Sequence, residues 1–115
     1  MTQTKRERLF ARPRRTKEVT LATGDVVEVR PLSVSERTRL VKACTVDGEV
    51  DTEKLIPELV IACVYEGPEA AEPMFTVGDR EELARMEAAA IDPMWNAAAE
   101  LNGLGADDAK AAEKN

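Results

Sequence analysis

Cys44 and Cys63 are the only thiols in the chain, and no histidine is present to serve them, or any serine or threonine, as a base. Nucleophilic catalysis needs a proton acceptor within hydrogen-bond reach of the attacking atom, so only a carboxylate or lysine base remains formally open. The same shortage leaves too few ligands for a zinc site or a disulfide framework within one chain. Two acidic groups, Glu66/Glu69/Glu72 and Glu81/Glu82, hold the right atoms for a hard cation. The first lies in a loop without calcium-loop spacing, and the second belongs to a helix first turn, where negative charge offsets the backbone dipole. No catalytic residue, cofactor or metal is expected, and the chain reads as a protein that acts by binding.

What remains is the chemistry of association. Lys5, Arg6, Arg8, Arg12, Arg14, Arg15 and Lys17 crowd residues 1–17, read as a flexible basic arm with nothing that obliges it to fold alone. Such an arm can neutralise phosphates, but its sole aromatic is Phe10 and the body behind it is acidic, so a solvated or self-contacting arm is favoured over a nucleic-acid partner. Met86, Met94 and Trp95 are the candidate partner-binding residues. Their helical spacing suits a core, while methionines beside one tryptophan also suit an adaptable groove. Cys44 and Cys63 fall on apolar helical faces, where a free cysteine behaves as a small hydrophobe.

The elements that must hold these residues are legible from periodicity. Val19 and Leu21, then Val27 and Val29, alternate with polar neighbours around Thr23-Gly24-Asp25, which predicts a β-hairpin over Glu18–Arg30. Ser33-Val34-Ser35-Glu36 has capping-box spacing and opens a helix carrying Leu40, Val41 and Cys44, closed by a turn at Asp47-Gly48. Asp51 can cap the next helix, whose regular part is placed near Leu55 because Pro57 is tolerated only in a first turn. Leu55, Ile56, Leu59, Val60, Cys63 and Val64 then form a wide apolar stripe, and Leu55, Leu59, Val60 and Cys63 mark the core helix. Residues 66–76 read as a loop, with Met74 and Phe75 turned back to the core. Asp79 and Glu82 cap a further helix through Leu83, Met86 and Ala90, Asp92-Pro93 restarts the pattern, and Asn102-Gly103 stops it.

The reading is mainly α with a short N-terminal β-hairpin, a single small helical domain of about four helices over residues 18–103, followed by a polar C-terminal tail at 104–115. At 115 residues the chain can bury one core, and with four aromatics (Phe10, Tyr65, Phe75, Trp95) that core must be mostly aliphatic and alanine. No stretch approaches the roughly 20 apolar residues of a membrane span, and the N-terminus carries charge where a signal peptide needs apolar residues, so a cytoplasmic protein without a membrane partner is expected. The net charge of −6 conceals a polarity: residues 1–40 hold ten Lys/Arg and five Asp/Glu, and residues 41–115 hold six and seventeen.

This order of parts resembles the tail assembly chaperones of long-tailed bacteriophages and prophages. The resemblance is carried by VTLATGDVVEVRPLSVSER, EKLIPELVIACVYEGPE, the PMFT loop, GDREELARMEAAAIDPM and the ending AAELNGLGADDAKAAEKN, over roughly residues 17–115. It implies a non-catalytic protein that coats and solubilises the tape measure protein in the infected host's cytoplasm until tail tube subunits polymerise around it. It also implies self-association, a frameshift-extended second form and absence from the mature virion. No individual contact residue is implied, because the family pattern is structural. A structural virion component, such as a small tail or connector subunit, is the alternative. A nucleic-acid-associated regulator is a third reading, disfavoured because no helix after the arm is distinctly basic.

Overall fold

A computed structural model describes residues 2–104 of the chain. It contains five α-helices, α1 (Lys5–Ala11), α2 (Val34–Ala43), α3 (Thr52–Cys63), α4 (Arg80–Arg85) and α5 (Ala88–Leu101), where the sequence reading anticipated about four. Five short strands accompany them: β1 (Lys17–Thr20), β2 (Val26–Val29), β3 (Thr45–Val46), β4 (Glu49–Val50) and β5 (Val64–Tyr65).

The expected hairpin forms between β1 and β2, with Val19 opposite Val27 and Gly24 at φ +94° in the connection. It is not alone. β5 continues directly from the end of α3 and pairs antiparallel with β2, giving the sheet order β1-β2-β5. The Asp47-Gly48 turn likewise closes a second small hairpin, β3–β4, in which both turn residues have positive φ (52° and 83°), the signature of a type I′ connection. Neither pairing is visible in two-residue strands read one at a time.

Within the basic arm, Lys5–Ala11 form α1, a helix not anticipated from the sequence. Thr4 accepts a hydrogen bond from the Glu7 amide, good helix formers follow, and the chain leaves the helix at Arg12, the residue before Pro13. None of its residues is buried.

Ser33 and Glu36 make the reciprocal capping box that opens α2: Ser33 Oγ accepts from the Glu36 amide at 3.1 Å, and the Glu36 carboxylate accepts from the Ser33 amide at 3.0 Å. Those bonds favour the charged form and hold the Glu36 pKa below its ordinary value. Asp51 caps α3 by accepting from the Glu53 amide at 3.0 Å, so the helix starts at Thr52, a turn earlier than the Pro57 argument allowed. Pro57 is buried in the helix interior, where apolar packing outweighs the missing amide bond.

The second half departs further from expectation. Asp79 does not cap α4 through its side chain; it reaches back to accept from the Thr76 amide at 2.8 Å across a single 3₁₀ turn, Val77–Asp79. The break falls at Met86-Glu87 and not at Asp92-Pro93, which lie inside α5. Ile91 and Met94 explain this. Spaced by three residues, they must face one core together, and only a continuous helix through Pro93 achieves that.

The core joins Val19, Val27 and Val29 of the sheet to Leu59, Val60, Ile61 and Cys63 of α3, Leu83 of α4, and Ile91, Met94 and Ala97–Ala99 of α5. Leu55 is buried too. The small alanines let α5 lie close to α3 and to the sheet. Met74 and Phe75 are partly buried against this core, and Leu104, placed in the tail by sequence, also packs on it; residues 105–115 of the expected tail lie outside the described residues.

Two polar side chains fasten the hydrophobic parts. Arg30, at the hairpin exit, pairs with Glu28 at 2.5 Å, stacks on Tyr65 at 3.8 Å from the ring centre, and donates to the carbonyls of Gly67 (3.1 Å), Pro68 (3.3 Å) and Ala70 (2.9 Å). It therefore ties the 66–70 loop to the sheet. Arg30→Lys keeps the charge but loses the planar fork, and is expected to cost about 1–2 kcal/mol in a denaturant melt. A midpoint unchanged from the parent chain would assign the loop's position to packing alone.

Asn102 is the second fastener and is 4% exposed. Its Oδ1 accepts from the Leu32 amide at 2.7 Å, and its Nδ2 donates to the Ala98 carbonyl at 2.8 Å and approaches Cys63 Sγ at 3.6 Å. Arg37 donates to the Asn102 carbonyl at 3.1 Å. Gly103, at φ +68°, then lets the Leu104 amide return to the Ala99 carbonyl at 2.7 Å, a Schellman ending for α5.

Candidate partner-binding surface

The three residues singled out from sequence take different places. Met94 is buried in the core. Trp95 is partly buried against it from the next position on α5. Met86 is 39% exposed at the α4–α5 corner and borders two shallow depressions. One, of about 420 Å³, includes Ile56, Pro57, Leu83, Ala88 and Ile91; the other, of about 180 Å³, includes Phe75 and Leu83. The structure therefore brings Met86 and Met94 to opposite situations, one at the surface and one inside, because the bend at Met86 interrupts the helix that would have aligned them.

A larger groove of about 500 Å³ was not anticipated. It lies between the end of α2, the first half of α3 and the exposed side of α4, and its lining includes Ala43, Cys44, Pro57 and Ala84 with Glu53 and Glu58. Arg80 bridges to Glu58 across it. Its walls come from three separate elements, so no periodicity in any one of them marks it; the pair of small residues Ala43 and Ala84 is the sole trace it leaves in the sequence.

The thiols are poor nucleophiles here. Burial raises the Cys44 pKa and pushes Cys63 up to about 12, against a smaller opposing effect of the Asn102 side chain on Cys63. Both are free. Among the described residues, no group of three or more His, Cys, Asp or Glu side chains is arranged to hold a metal ion, and no helix is long and apolar enough to cross a membrane.

Fold and surface together define a small α-rich domain built on a three-stranded sheet, whose accessible features are grooves and exposed apolar side chains. No protein-family model matches the chain, and no curated protein does. Among solved structures its fold is similar to that of the tail assembly chaperone of bacteriophage HK97, with a TM-score of 0.53 at 17% sequence identity, over 83% of this chain and 94% of that one.

Proposed function

We propose that this chain is a phage tail assembly chaperone that binds and solubilises the tape measure protein during tail morphogenesis, without catalysis. The observation that carries the reading is the likeness to the HK97 tail assembly chaperone, which takes in nearly all of that chain and most of this one. The physics of the surface supports it. A long partner that exposes apolar stripes needs a soluble cover with adaptable apolar contacts, and Met86, beside its two depressions, with the free edge of Trp95, supplies them. Residues 18–104 hold eighteen Asp/Glu against seven Lys/Arg, so coated complexes repel one another.

In this reading the protein works in the cytoplasm of the infected bacterium, gives way to tail tube subunits and is absent from the virion. A frameshift-extended form belongs to the same proposal; a coding sequence with neither a slippery run before the stop nor an overlapping downstream frame would rule it out.

The decisive experiment co-expresses the chain with the long tape measure candidate encoded nearby. The expected result is a soluble tape measure protein that copurifies, with both effects weakened by Met86→Asp. An insoluble tape measure protein, with this chain present in fixed copy number in purified particles, would make it a structural subunit instead.

A further inference from the structure

The two depressions beside Met86 share a wall, since Leu83 and Met86 line both. The larger continues to Ile56 and Pro57 of α3 and to Ile91 of α5, and the smaller ends on Phe75. Together they form one apolar surface. Its walls are three helices and the loop at Phe75, and no strand lines it. An occupant therefore meets side chains and no free strand edge, and must satisfy its own backbone hydrogen bonds, which a helix does.

Charge selects among helices. Every charged residue that lines this surface is acidic: Glu53 and Asp92 at the larger depression, Asp79 and Glu82 at the smaller. Asp79 is turned back to the Thr76 amide. Glu53, Glu82 and Asp92 make no ion pair among the described residues, whereas the cations of α4 are taken, Arg80 by Glu58 and Arg85 by Glu81. Lys54, next to Glu53, lines the α2–α3–α4 groove and not this surface. The rim thus carries carboxylates from α3, α4 and α5 and, among the described residues, no cation.

We infer that this surface takes a basic amphipathic helix of the partner, its apolar stripe laid over Ile56, Leu83 and Met86 and its flanking Lys or Arg beside Glu53, Glu82 and Asp92. The inference rests on the tape measure reading and deepens it, by naming the kind of segment covered: one in which cations border the apolar stripe. A stripe bordered by acidic residues would set carboxylate against carboxylate, and one bordered by uncharged residues would leave the rim unpaired. Each exposed pair is worth little, so the rim selects the segment and speeds encounter, while the apolar contacts hold it. Such a contact is reversible and weakens with salt.

The test uses the full chain and two labelled synthetic peptides of about 20 residues, long enough for a helix, read by fluorescence anisotropy. Both carry the same Leu/Ala stripe at helical spacing; one has Lys at the flanking positions and its twin has Glu. The parent chain is expected to bind the Lys peptide about tenfold more tightly than the Glu peptide, the sum of a few exposed pairs, with the difference shrinking in high salt. Glu82→Lys with Asp92→Lys is expected to abolish or reverse the preference. Glu18→Lys with Glu49→Lys makes the same change in net charge at exposed positions that do not line the surface, and is expected to leave the preference in place. Circular dichroism melts would verify that both variants fold, and the comparison of twins on the parent chain needs no variant. Equal binding of the twins, binding of neither, or a preference lost equally in both variants would each overturn the inference. A chain that solubilises the tape measure protein yet binds the twins alike would keep the chaperone reading and sink this one.

Discussion

Leu59→Asp is expected to abolish the folded state, with far-UV helicity and cooperative melting both lost at neutral pH. Leu59 is fully buried at the centre of α3, in the cluster that unites the sheet with α4 and α5. A carboxylate there has no cation among the core residues and no water, and the loss exceeds the roughly 4–5 kcal/mol that marks the severe tail of point mutations. A small domain has on the order of 5–15 kcal/mol in total, so the population shifts to the unfolded chain. Leu59→Ala separates charge from volume: it is expected to remain folded and to lose about 2–5 kcal/mol. A Leu59→Asp protein with undiminished helicity would mean that α3 is not the element around which the domain is built.

Asn102→Leu is the second large effect, expected to lower stability by about 2–4 kcal/mol in a denaturant titration. The side chain joins the end of α5 to two parts of the chain to which no backbone ladder ties it: Cys63 of α3, and Leu32 between the sheet and α2. Leucine fills most of the volume but leaves the Leu32 amide with no acceptor inside the protein, and a buried donor without a partner costs more than an ordinary hydrogen bond gives back. If the variant melted like the parent, water would have to replace the amide oxygen, and the end of α5 would be less enclosed than its packing indicates.

These two residues illustrate what the sequence discloses and what it does not. Leu59 was legible because it sits in a long stripe whose period is that of a helix, and the capping boxes and hairpin were legible because their determinants lie within about ten residues of one another. Asn102 was read only as the end of a helix. Its role depends on Leu32, 70 residues away, and nothing local encodes that meeting. β5 escaped notice likewise, since its two residues become a strand only by pairing with β2. Of the candidate surface, Met86 is accessible and Met94 is internal, a distinction set by where α4 ends. The α2–α3–α4 groove is a property of three elements together. By contrast α1 was missed although its cue, Thr4 before a run of helix formers, was local; density of charge outweighed it in the reading.

Pro57 divides α3 into parts of unequal permanence. The proline has no amide hydrogen to give the Glu53 carbonyl, so the opening turn is joined to the rest of the helix by one bond fewer than a regular helix would have. Beyond it, Leu59, Val60 and Cys63 are locked in the core, while Glu53 and Lys54 before it form the groove's wall. Its amide protons are therefore expected to exchange with solvent faster than those of the second half, by a local opening that costs less than global unfolding.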